Sequence, residues 1–150
     1  MHIFIDSSVN QQTNKSYGCY LLLDSLDFVD TKEFIDFINN KIIIVELQSK
    51  TSTDAELELA LYILSIVNNV SNVNKNIILY TDCNNLYNLK NREYSQKHKK
   101  AKLYDKIKTL LNNVELVKVK GHNKKEKQIN NYDIIFSYVD KKARKMVRSY

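Results

Sequence analysis

Residues 77–85, IILYTDCNN, join a run of strand-forming apolar residues to a lone carboxylate, Asp82, and then to polar residues. One interpretation is that Asp82 only begins a turn, since aspartate is common there. The other is that the strand delivers a carboxylate to the end of a sheet, where the functional sites of open α/β sheets lie. Residues 2–6, HIFID, have the same form and end in Asp6. The rest of the chain has to decide between the two interpretations.

Strands alternate with helices along the whole chain. Apolar runs predict strands at residues 2–6, 17–24, 42–47, 77–82 and 114–120, the first two as an antiparallel hairpin. Helical spacing predicts a short helix opened by a capping box at Asp30 and Glu33, and helices over residues 53–69, 103–111 and 131–148. We therefore predict an α/β fold, a five-stranded mixed sheet flanked by helices, as one domain of residues 1–150.

The net charge and pI of the chain favour a nucleic-acid partner. The chain has 150 residues, a net charge of +6 and a pI near 9.2, which favours a polyanionic ligand. Two cysteines argue against a disulfide scaffold and favour a reduced compartment, so we expect a cytoplasmic protein. No stretch approaches the ~20 apolar residues of a membrane span. We expect no membrane partner and a monomer.

Asp6 and Asp82 meet at one sheet edge if their strands are neighbours. Two close carboxylates repel each other unless a cation joins them. Oxygen ligands of this kind suit Mg²⁺ or Mn²⁺. The alternative for each residue alone is a turn residue at a strand end.

Other acidic residues extend this set. Glu56 lies in the first turn of the long apolar helix, where it either joins the two aspartates or forms a capping box with Thr53. Asp140 lies at the edge of the apolar stripe of the last helix, where a carboxylate is costly unless it is paired or metal-bound. Asp133 lies on the same edge, about 10 Å earlier at 1.5 Å per residue. Both aspartates could also be rim residues.

Six stretches, in order, resemble segments of ribonuclease H of type I. They are Asp6-Ser7-Ser8, residues 17–22 (YGCYLL), residues 51–60 (TSTDAELELA), residues 81–84 (TDCN), residues 119–122 (VKGH) and residues 140–144 (DKKAR). Each motif is weak alone, and the ordered set is specific. Two departures stand out: Ser7 replaces a glycine of the family, and the loop after His122 is longer than the family's.

The resemblance implies a metal-dependent endoribonuclease that cuts the RNA strand of RNA/DNA hybrids and leaves 5′-phosphate and 3′-hydroxyl ends. It implies two Mg²⁺ ions, with Mn²⁺ as a substitute, held by Asp6, Glu56, Asp82 and Asp140. The family spacing leaves Asp133 open as the fourth carboxylate, and the Ala143-Arg144 motif favours Asp140. His122 would assist proton transfer or product departure, unless it is only a surface-loop histidine. Glu58 becomes a bystander.

The same resemblance suggests the residues that contact the substrate. Ser8, Asn14 and Asn84 would read the minor groove, where 2′-hydroxyls distinguish RNA from DNA. Thr51 would contact a phosphate of the DNA strand. Lys99 and Lys100 belong to a basic stretch that stands in for the family's basic protrusion, with Arg92, Lys97, His98 and Lys102. That stretch could equally be a solvated charged face.

Two other functional classes remain open at this stage. The same fold and carboxylate chemistry serve DNA nucleases of the Holliday-junction resolvase type. A catalytically silent nucleic-acid-binding module would keep the acidic residues as structural remnants. A purely structural interaction domain would have to treat six ordered matches as chance.

Overall fold

A computed structural model of the chain describes residues 1–70, 76–120 and 130–148, and places five strands in one mixed sheet in the order β3-β2-β1-β4-β5. The strands are β1 (His2–Asn10), β2 (Lys15–Leu23), β3 (Ile43–Leu47), β4 (Ile77–Thr81) and β5 (Val114–Lys118). The helices are α1 (Lys32–Lys41), α2 (Ser52–Val70), α3 (Asn84–Tyr87), α4 (Ala101–Leu111) and α5 (Asn131–Arg148). β1 pairs antiparallel with β2 and β2 with β3, whereas β1, β4 and β5 run parallel. The predicted α/β fold is therefore confirmed.

The β1–β2 hairpin is longer than predicted. Its register runs from His2 opposite Leu23 to Asn10 opposite Lys15, so Asp6 lies in the middle of β1 and does not end it. The polar residues after Asp6 hid this extension, because they lack the apolar alternation of a half-buried strand. The turn of the hairpin contains Asn14 at a positive φ of 57°, a conformation that asparagine tolerates well.

The parallel pairing of β1 with β4 explains why Asp6 still lies at an edge. The paired residues run from His2 with Ile78 to Phe4 with Tyr80, and β4 ends at Thr81. Continuing that register by two residues brings Asp6 level with Asp82, on strands that lie about 4.8 Å apart. β1 thus projects past the end of β4, and its fifth residue stands where the neighbouring strand has stopped.

Two hydrophobic layers cover the two faces of the sheet. Side chains alternate along a strand, so Ile3 and Ile5 pack in the layer formed with α2 and α4. Phe4 packs in the opposite layer, against Phe136 and Val139 of α5. By the same alternation, Asp6 faces the α5 layer and the residue after it faces the α2 layer.

Gly18 allows α2 to approach β2 closely. A Cβ atom added at Gly18 would lie 2.7 Å from Cδ1 and 2.9 Å from Cδ2 of Leu59, closer than real Cβ contacts. Leu59 is fully buried and has little room to move. The glycine is therefore required by packing, since its backbone φ is not positive.

The helix caps differ from the predicted ones. Thr31, not Asp30, caps α1, because its side chain accepts the amide of Phe34 at 3.2 Å. Thr51 caps α2 by accepting the amide of Asp54 at 3.2 Å. Glu56 accepts hydrogen bonds from Ser7 and Thr81, so the alternative of a capping box with Thr53 does not hold. Both corrections move the cap within a cluster of adjacent cap-forming residues, which local spacing alone cannot resolve.

Two further features complete the fold. Glu58 accepts hydrogen bonds from the amides of Gln48 and Ser49 at 3.0 and 2.9 Å, so this carboxylate holds the loop between β3 and α2. α3 and a 3₁₀ turn at Leu89–Asn91 were not predicted, because elements of three or four residues carry no periodicity. Among the described residues, no helix has the length and apolarity needed to span a membrane.

Candidate active site

Three carboxylates converge where β4 ends. Ligand oxygens of Asp6, Glu56 and Asp82 all lie within 4.8 Å of one another. Asp6 and Glu56 are buried, with 5% and 3% of their surface exposed, and Asp82 is half-buried. Burying several carboxylates together is costly unless protons or cations compensate their charge. The cluster therefore indicates a functional site. The interpretation of Asp6 and Asp82 as turn residues does not explain why three carboxylates lie together.

Three different elements supply the three side chains. β1 carries Asp6, the residue after β4 is Asp82, and the first turns of α2 carry Glu56. Thr51 caps α2 one turn before Glu56, which fixes where the helix begins and so where the carboxylate points. The backbone carbonyl of Asp82 accepts a hydrogen bond from the ammonium group of Lys118 on β5, which ties the end of β4 to its neighbour.

Glu56 is held by two hydroxyl groups. Ser7 donates to Oε2 at 2.8 Å, and Thr81 donates to Oε1 at 3.0 Å. Burial raises the pKa of Glu56 to about 7, the nearby Asp82 raises it too, and the two hydroxyl donors counteract part of this increase. A carboxylic acid with this pKa exchanges its proton near neutral pH.

Asp6 is an acid whose charged form is strongly disfavoured. Burial, the charges of Glu56 and Asp82, and a hydrogen bond with Asp140 together raise the pKa of Asp6 well above its usual range. A hydrogen bond between two carboxyl groups requires a shared proton. Without a cation, the site therefore keeps protons that a divalent ion would displace.

Asp140, rather than Asp133, reaches the cluster. Asp140 is buried on α5, bonds Asp6, and is paired with Arg144, whose Nη2 lies 2.9 Å from Oδ2. Asp133 lies in the first turn of α5, where its Oδ2 accepts the amide of Asn130 at 3.4 Å. The geometry therefore favours Asp140 as the fourth carboxylate of the site.

The donor set fits a divalent cation. All four groups are carboxylates, the ligands that Mg²⁺ and Mn²⁺ prefer. Burial, and after it the neighbouring carboxylates, raise the pKa values of Asp6 and Glu56, so the charged forms of both groups are disfavoured without a cation. Arg144 pairs with Oδ2 of Asp140 and so compensates part of the negative charge of this fourth carboxylate.

The predicted substrate contacts lie at varied places. Ser8 follows Asp6 by two residues on β1 and is half-buried, and Asn84 is exposed at the start of α3, directly after Asp82 and Cys83. Asn14 is exposed in the hairpin turn, eight residues beyond Asp6, so it is farther from the cluster. Thr51 is exposed, and its hydroxyl accepts the α2 cap hydrogen bond.

The basic stretch before α4 is partly engaged within the protein. Lys99 is exposed, whereas the ammonium group of Lys100 forms an ion pair with Asp54 in the first turn of α2. The hydrogen bond from Lys100 lowers the pKa of Asp54. Arg92 stacks over the ring of Tyr104, with its guanidinium carbon 5.0 Å from the ring centroid. Lys100 thus has a structural role whether or not it also binds substrate.

His122 lies outside the described residues, so its predicted role stays a prediction. Three site residues were not singled out from the sequence: Ser7, Thr81 and Lys118, all of which bond a member of the cluster or its backbone. Ser7 had drawn notice only as a departure from a family glycine. The available signal for Ser7 and Thr81 was strand alternation, which points both hydroxyls toward α2 and hence toward Glu56.

The strand order, the parallel β1–β4 pair and the acid cluster define a ribonuclease H-like fold. Sequence comparison with protein-family models gives no match, and a search of curated proteins gives none either. The fold is similar to that of several solved structures.

Three of these structures show the extent of the likeness. The RNase H domain of PFV has 14% identity and a TM-score of 0.65, over 96% of this chain and 92% of that one. LC11-RNase H1, isolated from compost by a metagenomic approach, has 11% identity and a TM-score of 0.61, over 98% and 96%. RNase H1 of the halophilic archaeon Halobacterium salinarum NRC-1 has 11% identity and a TM-score of 0.54, over 80% and 85%. At these identities the likeness concerns the fold alone.

Proposed function

We propose that this protein is a metal-dependent endoribonuclease that hydrolyses the RNA strand of RNA/DNA hybrids, leaving 5′-phosphate and 3′-hydroxyl ends. The observation that carries the proposal is the convergence of Asp6, Glu56 and Asp82 within 4.8 Å, with Asp140 bonded to Asp6. The neighbouring solved structures, which are described as RNase H proteins and domains, support the same choice among nucleases.

The four carboxylates would hold two Mg²⁺ ions, or Mn²⁺ in their place. When bound, such ions activate a water molecule and stabilise the charge that develops on the phosphate and the leaving oxygen. The protein's part is to present charged oxygens in a fixed arrangement. Ser7 and Thr81 fix both oxygens of Glu56, and Arg144 fixes Asp140.

Glu56 holds a proton up to near neutral pH in the metal-free protein, mainly because it is buried. Its pKa of about 7 means that it releases its proton as a cation arrives and takes one up when the cation leaves. His122 would assist the transfer of a proton at the leaving group or the departure of product. Because the pKa of Asp6 is also raised, we expect metal binding to weaken as pH falls below neutral.

Substrate selection would depend on groups around this cluster. Ser8 and Asn84 flank the acids in sequence and carry polar groups suited to 2′-hydroxyls of the minor groove. Asn14 and Thr51 would contact more distant parts of the hybrid. Lys99 and Lys100 would add affinity that is independent of sequence and sensitive to salt.

A panel of substrates tests the proposal. The protein is incubated with Mg²⁺ and an RNA/DNA hybrid, an RNA duplex, a DNA duplex and a four-way DNA junction, each labelled on one strand. We expect cleavage of the RNA strand of the hybrid only. Cleavage of the junction without cleavage of the hybrid would instead indicate a DNA nuclease. Tight binding of the hybrid without cleavage in Mg²⁺ or Mn²⁺ would indicate a silent binding module.

A further inference from the structure

We infer that the exposed face of α5 formed by Lys141, Arg144, Lys145 and Arg148, here called the α5 basic face, binds the phosphate backbone of a nucleic acid beside the acid cluster. The inference rests on the proposed function for the identity of the substrate, and it names a surface that the sequence did not single out. The predicted substrate lysines lie elsewhere, before α4, which packs on the opposite side of the sheet.

The four basic residues lie together on one side of α5. Their spacing of three, four and seven residues places them on one side of a helix. Together they line a surface cavity of about 280 Å³. An open depression lined by four cationic side chains can offer a phosphate group several charge-assisted hydrogen bonds.

Basic residues outnumber acidic ones along the second half of α5, where Arg144 pairs with Asp140. Residues 141–148 contain five basic residues and no acidic residue. Like charges on one helix face repel each other, and a polyanion relieves that repulsion while it releases its own counterions. The concentration of charge therefore favours a ligand that carries several phosphates in a row.

The α5 basic face is continuous with the acid cluster. Arg144 pairs with Asp140, which bonds Asp6, so one residue belongs to both surfaces. α5 then follows β1, since Nδ2 of Asn10 donates to the carbonyl of Val147 at 3.4 Å. From residue 140 to residue 148 the helix rises about 12 Å, which is long enough to lie beside more than one phosphate of a strand. A strand leaving the cluster would thus pass along this face.

Binding, not cleavage, is the appropriate test. The triple variant Lys141→Gln, Lys145→Gln, Arg148→Gln removes three charges and leaves Arg144 on Asp140. The matched control is Lys32→Gln, Lys41→Gln, Lys106→Gln, which removes the same charge from other exposed positions. Fluorescence anisotropy with a labelled hybrid, in a chelator and over a series of KCl concentrations, gives the affinity and its salt dependence.

We expect the α5 variant to bind at least ~10-fold more weakly at 0.1 M salt. Its salt slope should be smaller by about 2.7, since each of the three lost phosphate contacts removes ~0.9 from the slope. The control should change affinity by less than about 3-fold, because distant surface charges are screened at that ionic strength. A third variant, Lys141→Arg, Lys145→Arg, Arg148→Lys, keeps every charge and should bind as the wild type does, which shows that charge and not side-chain shape governs binding. Circular dichroism of the glutamine variant should match that of the wild type, so that a loss of binding is not a loss of fold.

Equal losses in the α5 variant and the control would overturn the inference, because net charge alone would then explain binding. Binding to phosphatidylserine vesicles that depends on α5, with hybrid binding unchanged, would also overturn it in favour of a lipid surface. The assay measures binding and needs no turnover. If the protein fails to cleave hybrids, the proposed function is refuted, but the test of binding by the α5 basic face remains valid.

Discussion

The hydroxyl group of Ser7 donates a 2.8 Å hydrogen bond to Oε2 of Glu56, from the strand position next to Asp6. β1 therefore directs the carboxylate of Asp6 to the α5 side of the sheet. It directs the hydroxyl group of Ser7, which positions Glu56, to the α2 side. The helix that carries Glu56 is tied to the strand that carries Asp6 by this bond. A residue that interrupts the family pattern in sequence thus takes part in the geometry of the site.

Replacing Ser7 by alanine should shift the pH profile of cleavage. The variant loses a donor to the Glu56 carboxylate, so the pKa of Glu56 should rise further, because this hydrogen bond favours the charged form. A bond to a charged group contributes about 1.5–3 kcal/mol, so we expect the acidic limb to move up by about 1 pH unit. Ser7→Thr keeps the hydroxyl and should restore the original profile. Identical profiles for the alanine variant and the wild type would contradict this role.

The stability of the metal-free protein should fall as pH rises through 7. The pKa of Glu56 is about 7 in the folded protein against an ordinary value of 4.5, so the folded state binds this proton more tightly than the unfolded state. The resulting stabilisation is fully present below pH 4.5 and is lost as pH passes 7. It amounts to about 3 kcal/mol, at roughly 1.4 kcal/mol per tenfold change in proton affinity.

Urea unfolding at pH 5 and pH 8 measures this effect, with Glu56→Gln as the comparison. Glu56→Gln should show a smaller loss between the two pH values, whereas Glu93→Gln, at an exposed position, should behave as the wild type does. His2 acts in the opposite direction, since burial lowers its pKa, but it is present in all three proteins. An equal loss in Glu56→Gln and the wild type would refute the assignment.

Gly18→Ala should destabilise the fold without changing the chemistry of the site. The added Cβ would lie 2.7 Å from Cδ1 of the fully buried Leu59, and overpacking of this kind costs about 1–3 kcal/mol. Thermal unfolding measures the cost. The double variant Gly18→Ala, Leu59→Ala should be destabilised by less than the sum of the two single variants, because the truncated side chain no longer contacts the new methyl group. Full additivity would place the strain elsewhere.

Paired substitutions on α5 test which aspartate belongs to the site. Asp140→Asn should reduce hybrid cleavage by more than ~100-fold, since the loss of even an outer partner of a metal ligand costs about 10–100-fold. Asp133→Asn should stay within about 3-fold of the wild type, because Asp133 bonds only the helix start among the contacts described for it. A larger loss of cleavage in Asp133→Asn than in Asp140→Asn would instead assign Asp133 as the fourth carboxylate.

Much of the fold follows from sequence patterns. The five strands carry apolar runs or alternation, and the long helices carry clear apolar faces, so their order and type were predictable. The end of β1 was not, since residues 7–10 are mostly polar and extend the strand only because β2 pairs with them. The caps at Thr31 and Thr51 were misplaced by one or two residues for a related reason: several neighbouring residues can cap, and tertiary packing selects one.

The acidic residues of the candidate site could be predicted from the sequence, but the residues that form hydrogen bonds with them could not. Glu56 lies near the beginning of α2 and Asp82 directly follows β4, at positions that the sequence reveals. Asp6 follows an apolar run within β1, and the structure brings the three carboxylates together. The bonds from Ser7 and Thr81 to Glu56 depend on the relative placement of α2 and the sheet, which no local pattern encodes. The pairing of Lys100 with Asp54 was likewise invisible, because it joins residues 46 positions apart.

Mg²⁺-dependent cleavage of a hybrid labelled on its RNA strand, by the wild-type protein beside Asp82→Asn, tests the central claim most directly. The account predicts cutting of the RNA strand that requires the metal, yields 5′-phosphate ends and is lost in Asp82→Asn, which keeps the shape of the side chain and removes its charge. Equal cleavage by the two proteins, or cleavage that persists in a chelator, would show that the acid cluster is not the catalytic site.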